Sequence, residues 1–347
     1  MPDSSYGVLD RLLHRLALGV GPIAEMSFDL DQKTLHNGPE AIVLRRHVFV
    51  AGLARAGTTV LMRQFHSTSL YRSLTYRDMP FVLAPNLWQR LSSISKRDIQ
   101  SAERAHGDGI LVDADSPESF EEVFWRIFTS DEYLQTDKLI AHRPDEDTIR
   151  LFTQYINAIM ASAQPGKKRY LSKNNNNILR LDAIHRAFPN ALILVPFRAP
   201  MQQAQSLLRQ HRRFIEQQEQ DSFIQSYMSW LGHHEFGRDH RPFEFDGKTA
   251  NPYPATSLNY WLELWCETYE WLEKRSSPSV VFVSYEDLCG DEKYWARLAK
   301  LAEIPVATIS PDSFSLSHKP PVENVEQALE SRAEAIHARL TVKSREI

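Results

Sequence analysis

Residues 47–65 read HVFVAGLARAGTTVLMRQF. Val48, Phe49, Val50 and Ala51 form a short apolar run of the kind that builds a buried strand. A loop bounded by Gly52 and Gly57 follows, and the pattern after it predicts a helix. From Gly52 to Thr59 the spacing is G-x-x-x-x-G-T-T. A nucleotide P-loop reads G-x-x-x-x-G-K-[ST], so the phosphate cradle is kept while Thr58 stands in the place of the lysine. The two glycines permit a tight path with positive φ. The amides around Arg55 to Thr59 then face one concavity at a helix N-terminus, which suits an anion. Thr58 and Thr59 add hydroxyl donors, and Arg55 adds a full charge. That set fits a monoester phosphate or a phosphosulfate better than a triphosphate, whose β and γ groups ordinarily need the lysine and Mg²⁺.

Outward from this stretch, apolar and β-branched runs predict further strands at RSLTY (72–76), KRYLS (168–172), ALILVPF (191–197) and SVVFVSY (279–285). Helical spacing fills the intervals, as in PESFEEVFWRIF and SLNYWLELWCETYEWLEKR. Strands alternating with helices imply an α/β protein of three layers, with a central, mostly parallel sheet of about five strands. Ligands bind such sheets beyond the carboxyl ends of the strands. The chain, 1–347, reads as a single domain. Within it, 1–25 reads as an amphipathic helix with Leu9, Leu12, Leu13 and Leu16 on one face. The Gly-, Pro- and His-rich stretch 232–254 reads as a loop or lid insertion.

A second anion motif lies in LVPFRAPMQQAQSLLRQHRRF. Arg198 closes a strand, Pro200 starts a helix, and Ser206 lies eight residues after Arg198. An arginine at the strand end and a serine on the following helix can hold one phosphate from two sides. Arg209, Arg212 and Arg213 read as a solvated basic helix face.

GLARAGTT and FRAPMQQAQS together resemble the PAPS-dependent sulfotransferases, PAPS being 3′-phosphoadenosine 5′-phosphosulfate. YLSKNNNNILRLDAIHRAFPNALILVPFR is similar to the stretch leading into that family's second motif, and VVFVSYEDL resembles its late strand. The resemblance implies a P-loop-like fold in which Arg55, Ala56, Gly57, Thr58 and Thr59 hold the 5′-phosphosulfate and Arg198 and Ser206 hold the 3′-phosphate. It also implies PAPS as co-substrate with no metal. Such a donor carries no β,γ-diphosphate, so the lysine is dispensable. Ala54 and Ala56 depart from the family's usual proline and serine. Lys319 in SLSHKPP is the nearest match to its late basic loop.

Sulfuryl transfer to an alcohol requires a base for the acceptor proton, and this family uses a histidine or a carboxylate. Asp78, just after the second predicted strand, is the first choice and His66 the second. Lys173, which follows the third strand, is a candidate to neutralise the leaving sulfate or to bind the acceptor. Arg77, His106 and Asp108 are candidate acceptor contacts. His233, His234, Glu235 and His240 cluster without clear metal-ligand spacing, so they read as part of an acceptor-lining lid. Trp230, Phe236, Phe243 and Phe245 are expected to offer that acceptor their ring faces.

The expected reaction is transfer of a sulfuryl group to a hydroxyl on a carbohydrate or glycolipid, with a small alcohol or phenol next. The competing reading is a P-loop kinase acting on a small alcohol, with Glu286 and Asp287 as its magnesium carboxylates. A non-catalytic nucleotide-binding module fits less well with an intact AGTT. With 40 basic and 44 acidic residues the net charge is −4, which argues against a general nucleic-acid binder. Two cysteines without a CxxC pair argue against a disulfide framework and fit a reducing, cytoplasmic location. No apolar run reaches the ~18–20 residues of a membrane span, which leaves peripheral membrane contact through the N-terminal helix.

Overall fold

The computed structural model describes residues 8–35, 38–92, 102–103, 111–112, 115–245, 251–305 and 325–347. Its centre is a five-stranded parallel sheet: β1 Val48–Val50, β2 Tyr71–Arg72, β3 Arg169–Lys173, β4 Leu192–Phe197 and β5 Val280–Ser284. The spatial order is β2-β3-β1-β4-β5, so the chain builds outward on one side of β1 and then crosses to the other. This reversal puts the carboxyl end of β1 at the topological switch point, where parallel sheets bind ligands.

The inner strands lie between two apolar layers. On one face Phe49, Tyr170, Ile193 and Phe282 join the larger core, with Phe124, Trp125, Phe152 and Phe188. On the other, Val48, Val50, Leu171, Leu194 and Val283 pack with Leu61, Phe65 and Trp295. Burial on both faces explains why these strands appear in sequence as unbroken apolar runs. Each buried Val, Leu, Ile or Phe stabilises the fold by about 1.5–3 kcal/mol relative to exposure.

Several local expectations are corrected. RSLTY contributes only Arg72 to β2, because Thr75 and Asp78 form a reciprocal capping box that winds Tyr76–Asp78 into a 3₁₀ turn. The N-terminal segment is two helices, Val8–Gly19 and Gly21–Gln32, broken at Val20, with Pro22 in the first turn of the second. On the first helix Leu13 is half-buried. His14, Ala17 and Leu18 face inward, while Leu12 is 50% and Leu16 39% exposed. Arg11 fixes that orientation through an ion pair with Asp221 at 2.8 Å and by lying over the Phe223 ring.

The described part of 232–254 is packed onto the body. Phe243–Glu244 pairs in parallel with Leu139–Ile140, and Phe236, Phe243 and Phe245 are buried. Phe236 stacks on Phe214 and Phe245 on Trp271, so these rings serve the core and not an open acceptor face.

Candidate active site

The loop after β1 carries two residues in the left-handed region, Arg55 at φ 67° and Gly57 at φ 83°. Left-handed turns of this kind direct successive amides inward and make an anion cradle. Gly57 caps the helix Thr58–Ser67, whose first-turn amides have no partner within the helix. Glycine is required at 57 for space as well as for φ. A Cβ there would sit 2.3 Å from a ring carbon of Tyr285, the residue that follows β5. Arg55 has no such licence, and a non-glycine residue held at positive φ marks strain of about 1–3 kcal/mol, typical of ligand sites. Thr58 and Thr59 lie buried in the first turn beside it.

Arg198 follows β4, the neighbour of β1, so the two anion motifs emerge from adjacent strand ends. They are in contact: Arg55 Nε donates to Ser206 Oγ at 3.0 Å. Gln203, fully buried, ties them a second time. Its Nε2 donates to the Ala54 carbonyl at 3.0 Å, and its Oε1 accepts from the Arg198 amide at 3.3 Å and from Trp265 Nε1 at 2.9 Å. The Arg198 guanidinium lies 5.3 Å from the centre of the Tyr285 ring that covers Gly57. Three elements thus converge: the loop, the start of helix Pro200–Gln220, and the end of β5.

Arg209 is exposed, as its place on a solvated helix face implies, and it also neighbours this convergence. It lies three residues, one helical turn, beyond Ser206. Burial, then the charges of Arg55 and Arg198, pull its guanidinium below the ordinary arginine range. Three guanidiniums that repel one another are stabilised by an anion of more than one charge.

Lys173 ends β3 and pairs in register with Val50, the last residue of β1, so the sheet brings it beside the loop. Asp78 is placed differently. It follows β2 at the sheet edge, two strands from β1. Its Oδ1 accepts from Arg72 Nη2 at 2.5 Å, and its Oδ2 accepts from Thr75 N at 2.7 Å and Thr75 Oγ1 at 3.2 Å. These bonds commit the carboxylate to building the turn. Arg77 points to solvent and pairs with Asp115 at 2.8 Å. Burial, then Lys167 and Arg72, lowers His66 to about 4 and keeps it neutral. His106, Asp108 and Lys319 lie outside the described residues.

Sequence reading missed the polar layer beneath the site. Glu122 is fully buried and accepts from Arg180 Nη1 at 2.7 Å, Asn174 Nδ2 at 2.7 Å and Tyr133 Oη at 2.5 Å. Burial, the largest influence, would raise its carboxyl, but the Arg180 charge and the hydrogen bonds from Arg180, Tyr133 and Asn174 together hold it below the ordinary range. Glu121 beside it has no such cation. It accepts from Asn177 Nδ2 at 2.8 Å and Tyr170 Oη at 2.9 Å, and burial raises its carboxyl. The available signal was a pair of glutamates inside an apolar helical run.

The NNNN run after β3 joins this layer to the His-rich segment. Asn174 N donates to the Val50 carbonyl at 3.1 Å, Asn176 Nδ2 to the Gly232 carbonyl at 3.2 Å, and Asn175 Nδ2 to Glu235 Oε1 at 2.8 Å. Among the histidines, His234 Nδ1 lies 2.9 Å from Asp239 Oδ2 and His240 Nε2 accepts from Tyr260 Oη at 2.7 Å. Among the described residues no three His, Cys, Asp or Glu side chains are grouped to hold a metal ion.

A model described as "Sulfotransferase family" matches residues 47–306, well over half of the chain. No curated protein matches. Among solved structures, sulfotransferase STF1 from Mycobacterium tuberculosis H37Rv is similar at 15% identity, covering 98% of this chain and 88% of that one, with a TM-score of 0.49. Sulfotransferase STF9 from Mycobacterium avium is similar at 16% identity, covering 91% of this chain and 75% of that one, with a TM-score of 0.46. A sulfotransferase from Alicyclobacillus acidocaldarius is similar at 14% identity, covering 88% and 96%, with a TM-score of 0.39. The family match spans β1, the loop, both anion motifs and β5 with the Tyr285 that follows it: the chain belongs to the sulfotransferase family and is a transferase enzyme.

Proposed function

We propose that this enzyme transfers the sulfuryl group of PAPS to a hydroxyl acceptor, a carbohydrate or glycolipid being the class the family resemblance favours. The observation that carries the donor reading is the 3.0 Å hydrogen bond from Arg55 to Ser206, which joins the loop to the second anion motif. Two anion sites in contact suit one ligand phosphorylated at both ends. In this reading Arg55, Ala56, Gly57, Thr58 and Thr59 hold the 5′ side, and Arg198, Ser206 and Arg209 hold the 3′-phosphate. PAPS supplies an activated sulfuryl group when bound. The chain's part is to fix both ends, to spread charge through Arg55 and Lys173, and to align an acceptor oxygen.

The kinase reading's proposed magnesium carboxylates are each engaged in part by the protein. Glu286 Oε1 accepts from the Ala199 amide at 2.9 Å, and Asp287 is held by the Arg345 fork at 3.0 and 3.1 Å. Calorimetric titration with adenosine 3′,5′-bisphosphate and with ATP–Mg²⁺, in the absence of acceptor, separates the two. The bisphosphate is expected to bind at least tenfold more tightly. Preferred binding of ATP–Mg²⁺ would overturn the proposal.

A further inference from the structure

A single buried side chain joins the donor loop to the second anion motif through all of its hydrogen-bonding atoms. Gln203 stands in the first turn of helix Pro200–Gln220 and is fully buried. Its Nε2 donates to the Ala54 carbonyl at 3.0 Å and meets Tyr269 Oη at 3.5 Å. Its Oε1 accepts from Arg198 N at 3.3 Å and from Trp265 Nε1 at 2.9 Å. A carbonyl only accepts and an indole N–H only donates, so the side-chain amide has one orientation here. Neither a carboxylate nor an alkyl chain can make the same set of bonds. Trp265 and Tyr269 are themselves fully buried on helix Leu258–Glu273, and Tyr269 Oη donates to the Pro196 carbonyl of β4 at 2.8 Å. The brace is therefore anchored in the core, outside the loop it holds.

Ala54 and Arg55 share a peptide plane, whose C=O and N–H point to opposite sides. Pinning the Ala54 carbonyl to Gln203 turns the Arg55 N–H to the far side, at the residue held at φ 67°. Ser206, one helical turn after Gln203, takes the Arg55 side chain. At the other motif, Arg198 N is held by Gln203 and Ala199 N by Glu286 Oε1 at 2.9 Å, so that backbone is fixed by two acceptors. One side chain thus sets residue 54 of the loop against residue 198 of the second motif. We propose that Gln203 is a positioning residue that fixes the spacing of the two anion sites, and that this spacing selects a nucleotide phosphorylated at 3′ and 5′ over one whose second phosphate is missing or sits at 2′. This rests on the PAPS reading above. A ligand held at one end lets the loop shift with it, whereas a ligand held at both ends is gripped well only by sites already set to its span.

The test is calorimetric titration of the full chain with adenosine 3′,5′-bisphosphate, adenosine 2′,5′-bisphosphate and AMP. Wild type is expected to bind the 3′,5′-bisphosphate at least about tenfold more tightly than either of the others. Gln203→Met keeps the bulk and removes the bonds. It is expected to weaken the 3′,5′-bisphosphate by about tenfold or more and AMP by less than about threefold, so the preference narrows. Gln203→Glu keeps an acceptor for Arg198 and Trp265 and loses the donor to Ala54, and Trp265→Phe removes one brace; both are expected to narrow the preference and serve where Gln203→Met does not fold. Ile184→Ala, a truncation of a buried residue with no bond to Gln203, is expected to lower the urea midpoint and leave the preference unchanged. A preference untouched in Gln203→Glu and Trp265→Phe overturns the role of Gln203. So does equal weakening of AMP and the bisphosphate, or the same narrowing in Ile184→Ala. Equal binding of the two bisphosphates by wild type overturns the selection. In each of these outcomes the donor reading stands, whereas failure of wild type to bind the 3′,5′-bisphosphate overturns that reading and this inference with it.

Discussion

Tyr285 packs against Gly57, so close that any side chain at 57 would overlap its ring. The contact ties the end of β5 to the turn of the donor loop across some 230 residues of sequence, and it places an aromatic face under Arg198 as well. The loop's shape is therefore a tertiary property as much as a local one.

Gly57→Ala tests that contact. The variant meets both an unfavourable φ of 83° and the Tyr285 ring. It is expected to lose about 1–3 kcal/mol of stability and to bind adenosine 3′,5′-bisphosphate at least tenfold more weakly. Urea denaturation and calorimetry measure the two effects, and normal values in both would remove Gly57 from the cradle.

Lys173→Ala removes a cation from beside the loop. It is expected to lower kcat by ~10²–10³-fold, the scale of one charge-stabilising donor. Bisphosphate affinity should change much less. A loss confined to affinity would show that Lys173 binds the donor and takes no part in transfer.

Asp78→Asn separates structure from catalysis. With its carboxylate engaged by Arg72 and Thr75, the change leaves Arg72 buried and uncompensated. The variant is expected to be destabilised by about 3–5 kcal/mol, while kcat per folded molecule stays within about threefold of wild type. A stable variant with a collapsed kcat would return Asp78 to the role of base.

Acid should weaken the fold before it titrates ordinary carboxylates. His47 accepts from Tyr170 N through Nδ1 at 2.8 Å and donates through Nε2 to the Ile42 carbonyl at 3.0 Å, so its neutral tautomer is built into the start of β1. Burial lowers its pKa to about 4, and burial likewise lowers His211 and His240 to about 4. Between about 6.5 and 4 the unfolded chain binds protons that the folded chain refuses, so stability rises with pH there and is lost on acidification. Each such histidine contributes a slope of up to about 1.4 kcal/mol per pH unit. Glu121, whose carboxyl is raised by burial, opposes the trend. Denaturant midpoints at pH 7 and pH 5 measure the sum, and His47→Gln should flatten it. Equal midpoints for the wild type would contradict the account.

Much of this architecture was legible in the chain because its causes are local. The strands buried on both faces must be apolar throughout, and a cradle for an anion must place its glycines and donors at fixed spacing. β2 was overextended because its end is set by Thr75 and Asp78, whose capping box competes with the sheet. The exposed leucines of the first helix misled because Arg11 finds Asp221, 210 residues away, and turns the helix. Gln203 and the Glu122–Arg180 pair escaped for the same reason: each is defined by partners distant in sequence. Arg209 is a solvent-exposed helix charge, as read, but its nearness to Arg55 and Arg198 is set by the fold.

The central claim is that the loop and the second motif grip the two ends of one adenosine nucleotide. Calorimetric comparison of adenosine 3′,5′-bisphosphate with AMP, on wild type and on Arg198→Ala, tests it most directly. Wild type should favour the bisphosphate by about 1.5–3 kcal/mol, the worth of a charged hydrogen bond, and Arg198→Ala should abolish that preference while AMP binds as before. Equal weakening of both nucleotides, or a preference untouched by the substitution, would contradict it.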